Sequence, residues 1–328
     1  MKNKALRSLL LLVLAIAILL PISNCKREPE EISVRLKWFY LMGFAGDMVA
    51  LKNGIFEKNG LDVEIHEGGM NLEPIRLVAS GSDQFGIAGP EQIMLAREQG
   101  IPLVAIATIY QTSPVGFIAK KGSGIETPQD FVGRKVGVKL GTEIMMIYEA
   151  MLKKAGVDRS EIEEIPVQYS ATPFLEDQVD VLPVYLTNDP LLLDQMGVEY
   201  VIIDPKDYGV DVYGMCYFTT EKMIQENPKV VERYLKSVLE GYRWTIENKD
   251  EATRIVLSFN EKLDSAMQRR MIDVLEPILT EGTEGRVGWM DEAKWEATQQ
   301  IYLDVGVLKT EQNLDSVFTN RFVEKIYK

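Results

Sequence analysis

Side chains that could hold a flat polar ring stand at the ends of predicted strands. Trp38 closes the first predicted strand, and Asn188 and Asp189 follow a later one. A tryptophan ring stacks on flat heterocycles, and an amide beside a carboxylate offers neighbouring donor and acceptor atoms. This chemistry indicates reversible binding. The alternatives are a core position for Trp38 and a helix N-cap formed by Asn188 or Asp189 before Pro190.

Other candidate ligand groups stand where predicted helices begin or where aromatic walls could form. Glycine permits close approach of the backbone, and the free N–H groups of a helix start can bind an acceptor or an anion. These candidates are Phe44, Gly46, Gly89, Glu91, Gly141, Thr142, Tyr185 and Tyr213. The alternatives are ordinary helix entries, caps and packing positions.

A single histidine, His66, limits the enzyme chemistry that the chain can perform. A multi-histidine zinc site, an HExxH motif and a paired-histidine metal centre all need more than one. The cysteines are Cys25 and Cys216, which cannot form a cysteine-rich cluster. We therefore predict no catalytic residue, no metal and no cofactor.

The N-terminal segment predicts export. Lys2, Lys4 and Arg7 precede an apolar run from Leu9 to Leu20, and Cys25 follows it. This pattern predicts a signal peptide at residues 1–24. Cys25 resembles the lipidated cysteine of a bacterial lipobox, although Asn24 is larger than the usual residue there. The predicted mature protein is lipid-anchored to the cell envelope at Cys25, with a polar tether at 26–32; the alternatives are a plain secretory signal and an uncleaved anchor.

The charge and the length of the chain restrict its partners and its organisation. Removing residues 1–24, which contain three basic residues and no acidic one, changes the net charge from −13 to −16. So acidic a chain is not expected to bind nucleic acid. About 300 mature residues exceed the size of a typical single core, so two lobes are expected.

Strand and helix signals alternate between about residues 32 and 205, which predicts an α/β fold. Long amphipathic helices follow Tyr217. The predicted strands are Ser33–Trp38, Leu61–His66, Phe85–Ala88, Leu103–Tyr110, Gly116–Ala119, Lys135–Val138, Ile162–Pro166, Val179–Pro183 and Tyr200–Ile203. The predicted helices are Gly46–Asn53, Ile75–Ser80, Glu91–Gln99, Thr142–Ala155, Pro190–Met196, Pro228–Asn248, Asp250–Leu257, Ser265–Thr280 and Glu292–Asp304.

Glycine-containing segments predict two crossings between the lobes, at Lys120–Gly124 and at Tyr208–Gly214. The first lobe is then 33–120 with 213–328, and the second lobe is 121–212. Glycine suits a hinge because it permits large changes in backbone torsion. The alternative is that both segments are ordinary surface loops.

Short motifs follow one another along most of residues 34–295. They are LKWFYLMGFAG at 36–46, SGSDQFG at 80–86, GIPLVAIATIYQTSP at 100–114, TPQDFVGRKVG at 127–137, YLTNDP at 185–190, DYGVDVYG at 207–214 and GWMDEAKW at 288–295. In this order they resemble the thiamine pyrimidine precursor-binding and thiamine pyrimidine synthase-like family of ABC transporter solute-binding proteins. This family is related to binders of sulfonate, nitrate, taurine and riboflavin.

The resemblance implies a periplasmic-binding-protein type II fold, with a ligand cleft between two lobes and a helical C-terminal part. It also implies a receptor that binds a thiamine pyrimidine precursor, of aminopyrimidine or hydroxymethylpyrimidine type, and presents it to an ABC permease and its ATPase. Asp189 stands where relatives often carry Glu, Phe39–Gly43 replaces a His-Gln pair, and Trp289 replaces a His. These departures make the expected cleft more apolar, so a flavin-like ring such as riboflavin is an alternative ligand.

Two further functions are alternatives. The synthases that share this resemblance take part in thiamine biosynthesis and consume a histidine and pyridoxal phosphate with a Cys-rich iron motif. This chain lacks that motif and has no histidine in Glu91–Ala96. The other alternative is a lipoprotein that senses a small molecule, because one binding fold serves both transport and sensing.

Overall fold

The computed structural model describes residues 29–69 and 72–328. The predicted signal peptide, 1–24, and Cys25 lie outside the described residues. The first strand begins at Glu30, and Glu30, Glu31 and Ile32 already pair with the second strand. The predicted tether, 26–32, is therefore too long at its C-terminal end.

Strands and helices alternate through the first two-thirds of the chain, and helices dominate the remainder. The strands are β1 Glu30–Arg35, β2 Leu61–His66, β3 Phe85–Ala88, β4 Leu103–Tyr110, β5 Val115–Lys120, β6 Lys135–Val138, β7 Glu163–Pro166, β8 Val181–Tyr185, β9 Tyr200–Ile203 and β10 Met215–Thr220. The α-helices are α1 Ala45–Lys52, α2 Ile55–Lys58, α3 Pro74–Ala79, α4 Pro90–Glu98, α5 Glu143–Ala155, α6 Thr172–Leu175, α7 Asp189–Gln195, α8 Glu221–Glu226, α9 Pro228–Glu247, α10 Lys249–Leu257, α11 Ser265–Thr280, α12 Glu292–Asp304, α13 Leu314–Val317 and α14 Arg321–Ile326. Short 3-10 helices span Met42–Phe44, Pro128–Phe131, Arg159–Glu161 and Pro205–Tyr208.

The strands form two mixed sheets. The first sheet has the order β2-β1-β3-β10-β4 and the second has the order β7-β6-β8-β5-β9. In the first sheet β1 is parallel to β2 and β3, whereas β10 is antiparallel to β3 and β4. In the second sheet β6 is parallel to β7 and β8, whereas β5 is antiparallel to β8 and β9. The predicted α/β class is confirmed.

The sequence pattern predicts most of these elements but misses β10. The predicted bounds of β2, β3, β4, β6 and β9 agree with the structure. β1 ends at Arg35, so Trp38 lies in the following loop and not on the strand. The sequence pattern does not predict β10, because its apolar run is followed directly by residues with helical spacing. Its partners β3 and β4 also lie far earlier in the chain.

The chain crosses between the sheets along two adjacent segments, 111–114 and 204–214. The Ser113 N–H donates to the Val212 carbonyl with an N–O distance of 2.8 Å, and the Gly214 N–H donates to the Tyr110 carbonyl at 3.0 Å. The two segments therefore form one hydrogen-bonded connection between the lobes.

The first crossing lies earlier than the sequence predicts. β5 pairs with β8 and β9, so Val115–Lys120 belongs to the second sheet. The expected crossing at Lys120–Gly124 is a turn within the second lobe, where Gly122 and Gly124 have positive φ. We therefore propose a first lobe of 29–110 with 215–328 and a second lobe of 115–203. Hinge motion at the crossings stays a prediction.

The buried apolar residues form clusters on both sheets. One cluster joins the first sheet to α1 and to the C-terminal helices α9, α10 and α11. A second cluster continues from the first lobe into the second, since Ile93 and Trp295 share it with Phe117 and Tyr148. In the part of the chain that the structure describes, no helix is long and apolar enough to cross a bilayer.

Helix α1 packs closely on α9. Gly241 faces the carbonyl oxygen of Gly46, which a Cβ atom at position 241 would overlap. Beside this contact, the buried Asp47 carboxylate accepts hydrogen bonds from the hydroxyls of Tyr217 and Tyr234. Burial raises the pKa of Asp47 to about 6, and these hydrogen bonds oppose the rise. Gly46 therefore serves helix packing in the first lobe.

We expect Gly241→Ala to lower the free energy of unfolding by about 1–3 kcal/mol, because the new methyl group must push the two helix backbones apart. Urea denaturation of both proteins measures the difference. Lys236→Ala, at an exposed position of the same helix, is the control and should change stability by no more than about 0.5 kcal/mol. Equal stabilities for Gly241→Ala and the parent chain would contradict this account of the contact.

Candidate functional site

The candidate site lies between the lobes, at the carboxyl ends of parallel strands from both sheets. In the first lobe, Lys37 and Trp38 follow β1, and Glu91 follows β3. In the second lobe the site residues lie at the end of β8 or follow β6, β7 and β8. They are Lys139, Glu143, Tyr169, Tyr185 and Asp189. Ligands of open α/β sheets bind at such strand ends.

An ion pair joins the two lobes across the cleft. The Lys37 ammonium donates to Oε2 of Glu143, the first residue of α5. The hydroxyl of Tyr185 donates to the other oxygen of Glu143 at 2.9 Å. Burial opposes the charge on Lys37, but the attraction of Glu143 and Glu91 outweighs it and raises the pKa of Lys37. Both sides of the cleft therefore meet at Glu143.

Glu91 is a second carboxyl group in the cleft and is only 4% exposed. Its carboxyl group folds back over Gly89, where a Cβ atom would overlap both of its oxygens. Burial raises the pKa of Glu91 to about 7; the Glu143 carboxylate adds to the rise and the Lys37 charge opposes it. Glu91 is thus poised to hold or release a proton near neutral pH.

Aromatic rings line the cleft in a continuous series from its rim to Glu143. Phe39 is 48% exposed, and its ring centroid lies 5.1 Å from that of Trp38. Trp38 lies 6.0 Å from Tyr169 of the other lobe, and Tyr169 stands parallel to Tyr185 with centroids 6.2 Å apart. Such surfaces favour a flat apolar ring.

Lys139 lies beneath this aromatic series and is 5% exposed. Its ammonium donates to the Pro183 carbonyl at 3.1 Å and lies 4.4 Å from the ring centroid of Tyr169. Burial lowers the pKa of Lys139, and the charge of Asp189 opposes this effect. Lys139 supports Tyr169 through a cation–π contact.

The candidate residues of the second lobe take different positions. One oxygen of Asp189 accepts from the Tyr185 backbone N–H at 2.8 Å, so this carboxylate holds the loop that carries Tyr185. Asn188 is exposed and its side chain forms no cap hydrogen bond. Thr142 donates to the Lys139 carbonyl at 2.6 Å, while Gly141 adopts a positive φ in the turn between them. Burial raises the pKa of Asp189.

Three candidate residues lie in the interior and not in the cleft. Phe44 is buried in the first-lobe core, and Gly46 packs against α9. Tyr213 is 1% exposed, its hydroxyl accepts from the Asp291 N–H at 2.7 Å, and its ring packs on Trp295. Apolar packing holds all three positions, which is the alternative that the sequence left open.

Four cleft residues were not singled out from the sequence as ligand groups. They are Lys37, Lys139, Glu143 and Tyr169. Lys37 stands beside Trp38 and Glu143 stands beside Thr142, so their positions after strands were the available signal. Their place in the cleft depends on contacts with residues that lie on or after other strands. The local sequence does not reveal those contacts.

His66 lies outside this group. Its Nδ1 lies 2.9 Å from both an Asp83 oxygen and an Arg35 nitrogen, in a polar network at the end of β2. Among residues 29–69 and 72–328, no group of three or more histidine, cysteine or acidic side chains could hold a metal ion. The cleft is equipped to bind a polar aromatic ring through stacking and hydrogen bonds.

We expect Glu91→Gln to reduce the loss of stability that the parent chain shows as pH rises from 5 to 8. The folded protein keeps the Glu91 proton up to about pH 7, whereas the unfolded chain releases it near pH 4.5. Ionisation therefore favours the unfolded state, by on the order of 3 kcal/mol at pH 8. Urea denaturation at pH 5, 6, 7 and 8 measures both profiles.

The exposed Glu261 supplies the matched control for this comparison. Glu261→Gln should follow the parent profile at every pH. Parallel profiles for Glu91→Gln and the parent chain would show that Glu91 ionises in the folded state as readily as in the unfolded chain.

Several curated proteins are similar to this chain over most of its length. The formylaminopyrimidine-binding protein of Halalkalibacterium halodurans is 27% identical over 305 residues, which cover 90% of this chain and 92% of that protein. The riboflavin-binding protein RibY of Chloroflexus aurantiacus is 24% identical over 314 residues, with coverage of 92% and 89%. The 4-amino-5-hydroxymethyl-2-methylpyrimidine phosphate synthase of Legionella pneumophila is 20% identical over 298 residues, with coverage of 90% and 92%.

Solved structures show the same fold. The periplasmic aliphatic sulphonate binding protein SsuA of Escherichia coli matches with a TM-score of 0.70 and 17% identity, over 88% of this chain and 91% of that one. The periplasmic nitrate-binding protein NrtA of Synechocystis matches with a TM-score of 0.69 and 15% identity, over 91% of this chain and 88% of that one. The predicted periplasmic-binding-protein fold is confirmed.

A family described as NMT1/THI5 like matches residues 42–252, which is more than half of the chain. The ordered motifs, the two-lobed fold and this match agree, and the chain belongs to the NMT1/THI5-like family.

Proposed function

We propose that this protein is the solute-binding component of an ABC importer and captures a flat aromatic heterocycle of the pyrimidine or flavin type. The observation that carries the proposal is the cleft itself, in which Trp38 and Lys37 of one lobe face Tyr169 and Glu143 of the other. The rings offer stacking surfaces, and the charged groups offer donors and acceptors for the polar edge of a heterocycle.

The proposed mechanism is closure of the two lobes around the ligand. A ligand favours the closed form only through contacts that the open form cannot make. Residues on separate lobes supply such contacts here, because Trp38 and Glu91 lie on one side and Tyr169 and Glu143 on the other. The paired segments 111–114 and 204–214 are the proposed hinge, since they are the connections between the sheets.

The relatives support a binding role and a heterocyclic ligand. Two of them are named for binding a formylaminopyrimidine and riboflavin. Both ligands carry a flat, nitrogen-containing ring with neighbouring hydrogen-bond donors and acceptors. The fold neighbours SsuA and NrtA are periplasmic binding proteins, which supports export and delivery to a membrane permease.

The same proposal includes a lipid anchor at Cys25. The basic residues, the apolar run and the cysteine of segment 1–25 support it. Only the short segment 26–29 then separates the anchor from β1, so the proposed receptor stays close to the membrane surface.

A second candidate function is a synthase-like activity that uses pyridoxal phosphate, as one relative is named a pyrimidine phosphate synthase. The observation that favours it is Lys139, an almost fully buried lysine whose pKa burial lowers, so that its amine can become nucleophilic. Against it, the ammonium of Lys139 is engaged by the Pro183 carbonyl and the Tyr169 ring. Cys216 is buried, and burial raises the pKa of its thiol to about 12.

Calorimetric titration of the full chain in detergent should show one-to-one binding of an aminopyrimidine or riboflavin without turnover. The same titration is carried out with four further compounds, which are thiamine, taurine, nitrate and pyridoxal phosphate. We expect Trp38→Ala to weaken binding about tenfold, because the ligand ring loses a stacking surface. Phe259→Ala is the control, since this half-buried ring of the first lobe contacts Tyr40 and lies outside the cleft.

Binding of pyridoxal phosphate alone would contradict the receptor proposal if it gave a Schiff-base absorbance that Lys139→Arg abolished. Unchanged affinity in Trp38→Ala would instead remove Trp38 from the ligand site while leaving the receptor function in place.

We expect Cys25→Ala to release the protein from the membrane fraction, because lipidation requires the cysteine sulfur. Fractionation of cells grown with a labelled fatty acid measures both the location and the acylation. Cys216→Ala is the control and should remain labelled and membrane-bound. Label and membrane association that persist in Cys25→Ala would contradict the lipid anchor.

A further inference from the structure

The segment that carries Trp38 has no regular secondary structure of its own. It follows β1 directly and spans residues 36–41, before a short 3-10 helix begins. From this loop the Trp38 ring reaches Tyr169 of the other lobe, with ring centroids 6.0 Å apart. An irregular loop keeps one conformation only when other groups bind its backbone. The partners of this backbone therefore decide where the Trp38 ring stands.

Two consecutive residues after β2 hold the loop on both sides of Phe39. The Gly68 N–H donates to the Trp38 carbonyl at 3.0 Å. The Tyr40 N–H donates to Oε1 of Glu67 at 2.9 Å. A side-chain oxygen of Glu67 therefore takes the place of a backbone carbonyl, and it extends the β1–β2 pairing past the ends of both strands.

The absence of a side chain at Gly68 lets the two segments approach closely. A Cβ atom at this position would lie 2.0 Å from the Leu36 carbonyl oxygen and 2.6 Å from the Lys37 carbonyl carbon. Both neighbours are backbone atoms, which cannot rotate away as a side chain would. The segment that contains Glu67 and Gly68 is therefore fixed together with the loop that carries Trp38.

A buried polar network anchors the backbone of Glu67. The Arg35 guanidinium donates to the Glu67 carbonyl at 2.8 Å and to Oδ2 of Asp83 at 2.9 Å. Asp83 is 1% exposed, and its other oxygen accepts from the Ser33 hydroxyl and lies 2.9 Å from Nδ1 of His66. Hydrogen bonds between ionised groups are stronger than neutral ones. The single histidine of the chain thus belongs to the support of Glu67.

We propose that Glu67 is a positioning residue of the ligand site: its carboxylate fixes the Tyr40 N–H, and the fixed loop presents the Trp38 ring to the ligand. This inference rests on the proposed function and deepens it by naming the residue that holds the stacking ring in place. A group that is fixed before the ligand arrives lowers the cost of ordering the site on binding.

The remaining contacts of the loop hold other parts of it. The Met42 N–H donates to Oε1 of the buried Gln268 at 2.8 Å, which fixes the start of the 3-10 helix. The Tyr40 hydroxyl donates to the Ile65 carbonyl at 2.8 Å, which fixes the Tyr40 side chain and leaves its N–H to Glu67. Loss of the Glu67 carboxylate should therefore free the middle of the loop and leave the protein folded.

The test is a double-mutant cycle between Glu67 and Trp38. Calorimetry on the full chain measures affinity for riboflavin and for 4-amino-5-hydroxymethyl-2-methylpyrimidine, the heterocycles that appear in the names of two relatives. Glu67→Ala should weaken binding about fivefold, because the Trp38 ring is no longer fixed. In the Trp38→Ala background the same change should weaken binding less than about twofold, since the ring that Glu67 positions is absent. Glu67→Gln keeps an acceptor oxygen and should bind within about twofold of the parent chain.

Acrylamide quenching of Trp38 fluorescence gives a second readout, which needs no ligand. The Trp38 signal is the difference between each protein and its Trp38→Phe counterpart. Quenching should rise about twofold in Glu67→Ala, because a loop that moves exposes the ring, and it should stay at the parent level in Glu67→Gln. Asp62→Ala, at an exposed position of β2, is the control and should change neither quenching nor affinity.

The results separate this inference from the proposed function. Equal affinities of Glu67→Ala and the parent chain overturn the role of Glu67 and leave the receptor function standing. An equal loss in the Trp38→Ala background also overturns it, because the effect of Glu67 would then be independent of Trp38. A loss in Glu67→Gln as large as in Glu67→Ala overturns it too, because the charge and not the acceptor oxygen would then matter.

The ligand-free readout keeps the two proposals distinguishable if neither compound binds the parent chain. The proposed function then fails for these ligands. Increased quenching in Glu67→Ala would still support the positioning of Trp38 by Glu67, and unchanged quenching would overturn it.

Discussion

The ion pair between Lys37 and Glu143 is the contact on which the geometry of the cleft depends. Removing two charges from water costs several kcal/mol, and mutual attraction repays this cost only when the geometry and the additional hydrogen bonds are good. Here the Tyr185 hydroxyl supplies an additional hydrogen bond to Glu143. Because the partners come from different sheets, satisfying this pair also fixes how the carboxyl end of β1 faces the start of α5.

The charge of Lys37 acts on Glu91 as well as on its ion-pair partner Glu143. One ammonium group serves two carboxyl groups, so the second carboxyl group is more stable with a proton. Gly89 accommodates this carboxyl group, because a Cβ atom at position 89 would overlap both of its oxygens. The stability of the protein and the polarity of its cleft are therefore linked through one side chain.

The overall architecture follows from regular sequence patterns. Alternation of buried and exposed side chains along β2 marks a strand with one covered face, and its bounds were predicted correctly. Helices α11 and α12 also have their predicted bounds, because apolar residues recur at helical spacing. The first crossing and β10 were not predicted correctly from the sequence. The strands that pair in β10 are distant in sequence.

The sequence by itself determined that this is an α/β chain with one histidine and with its polar candidates placed after strands. It also determined the family, because ordered motifs require no knowledge of contacts. Only the tertiary structure decided what each candidate contacts: Trp38 meets Tyr169 of the other lobe, whereas Gly46 and Tyr213 serve packing. The reason is physical. The role of each residue here depends on charged groups and aromatic rings that lie on or after other strands, and the local spacing of residues in the sequence does not reveal those partners.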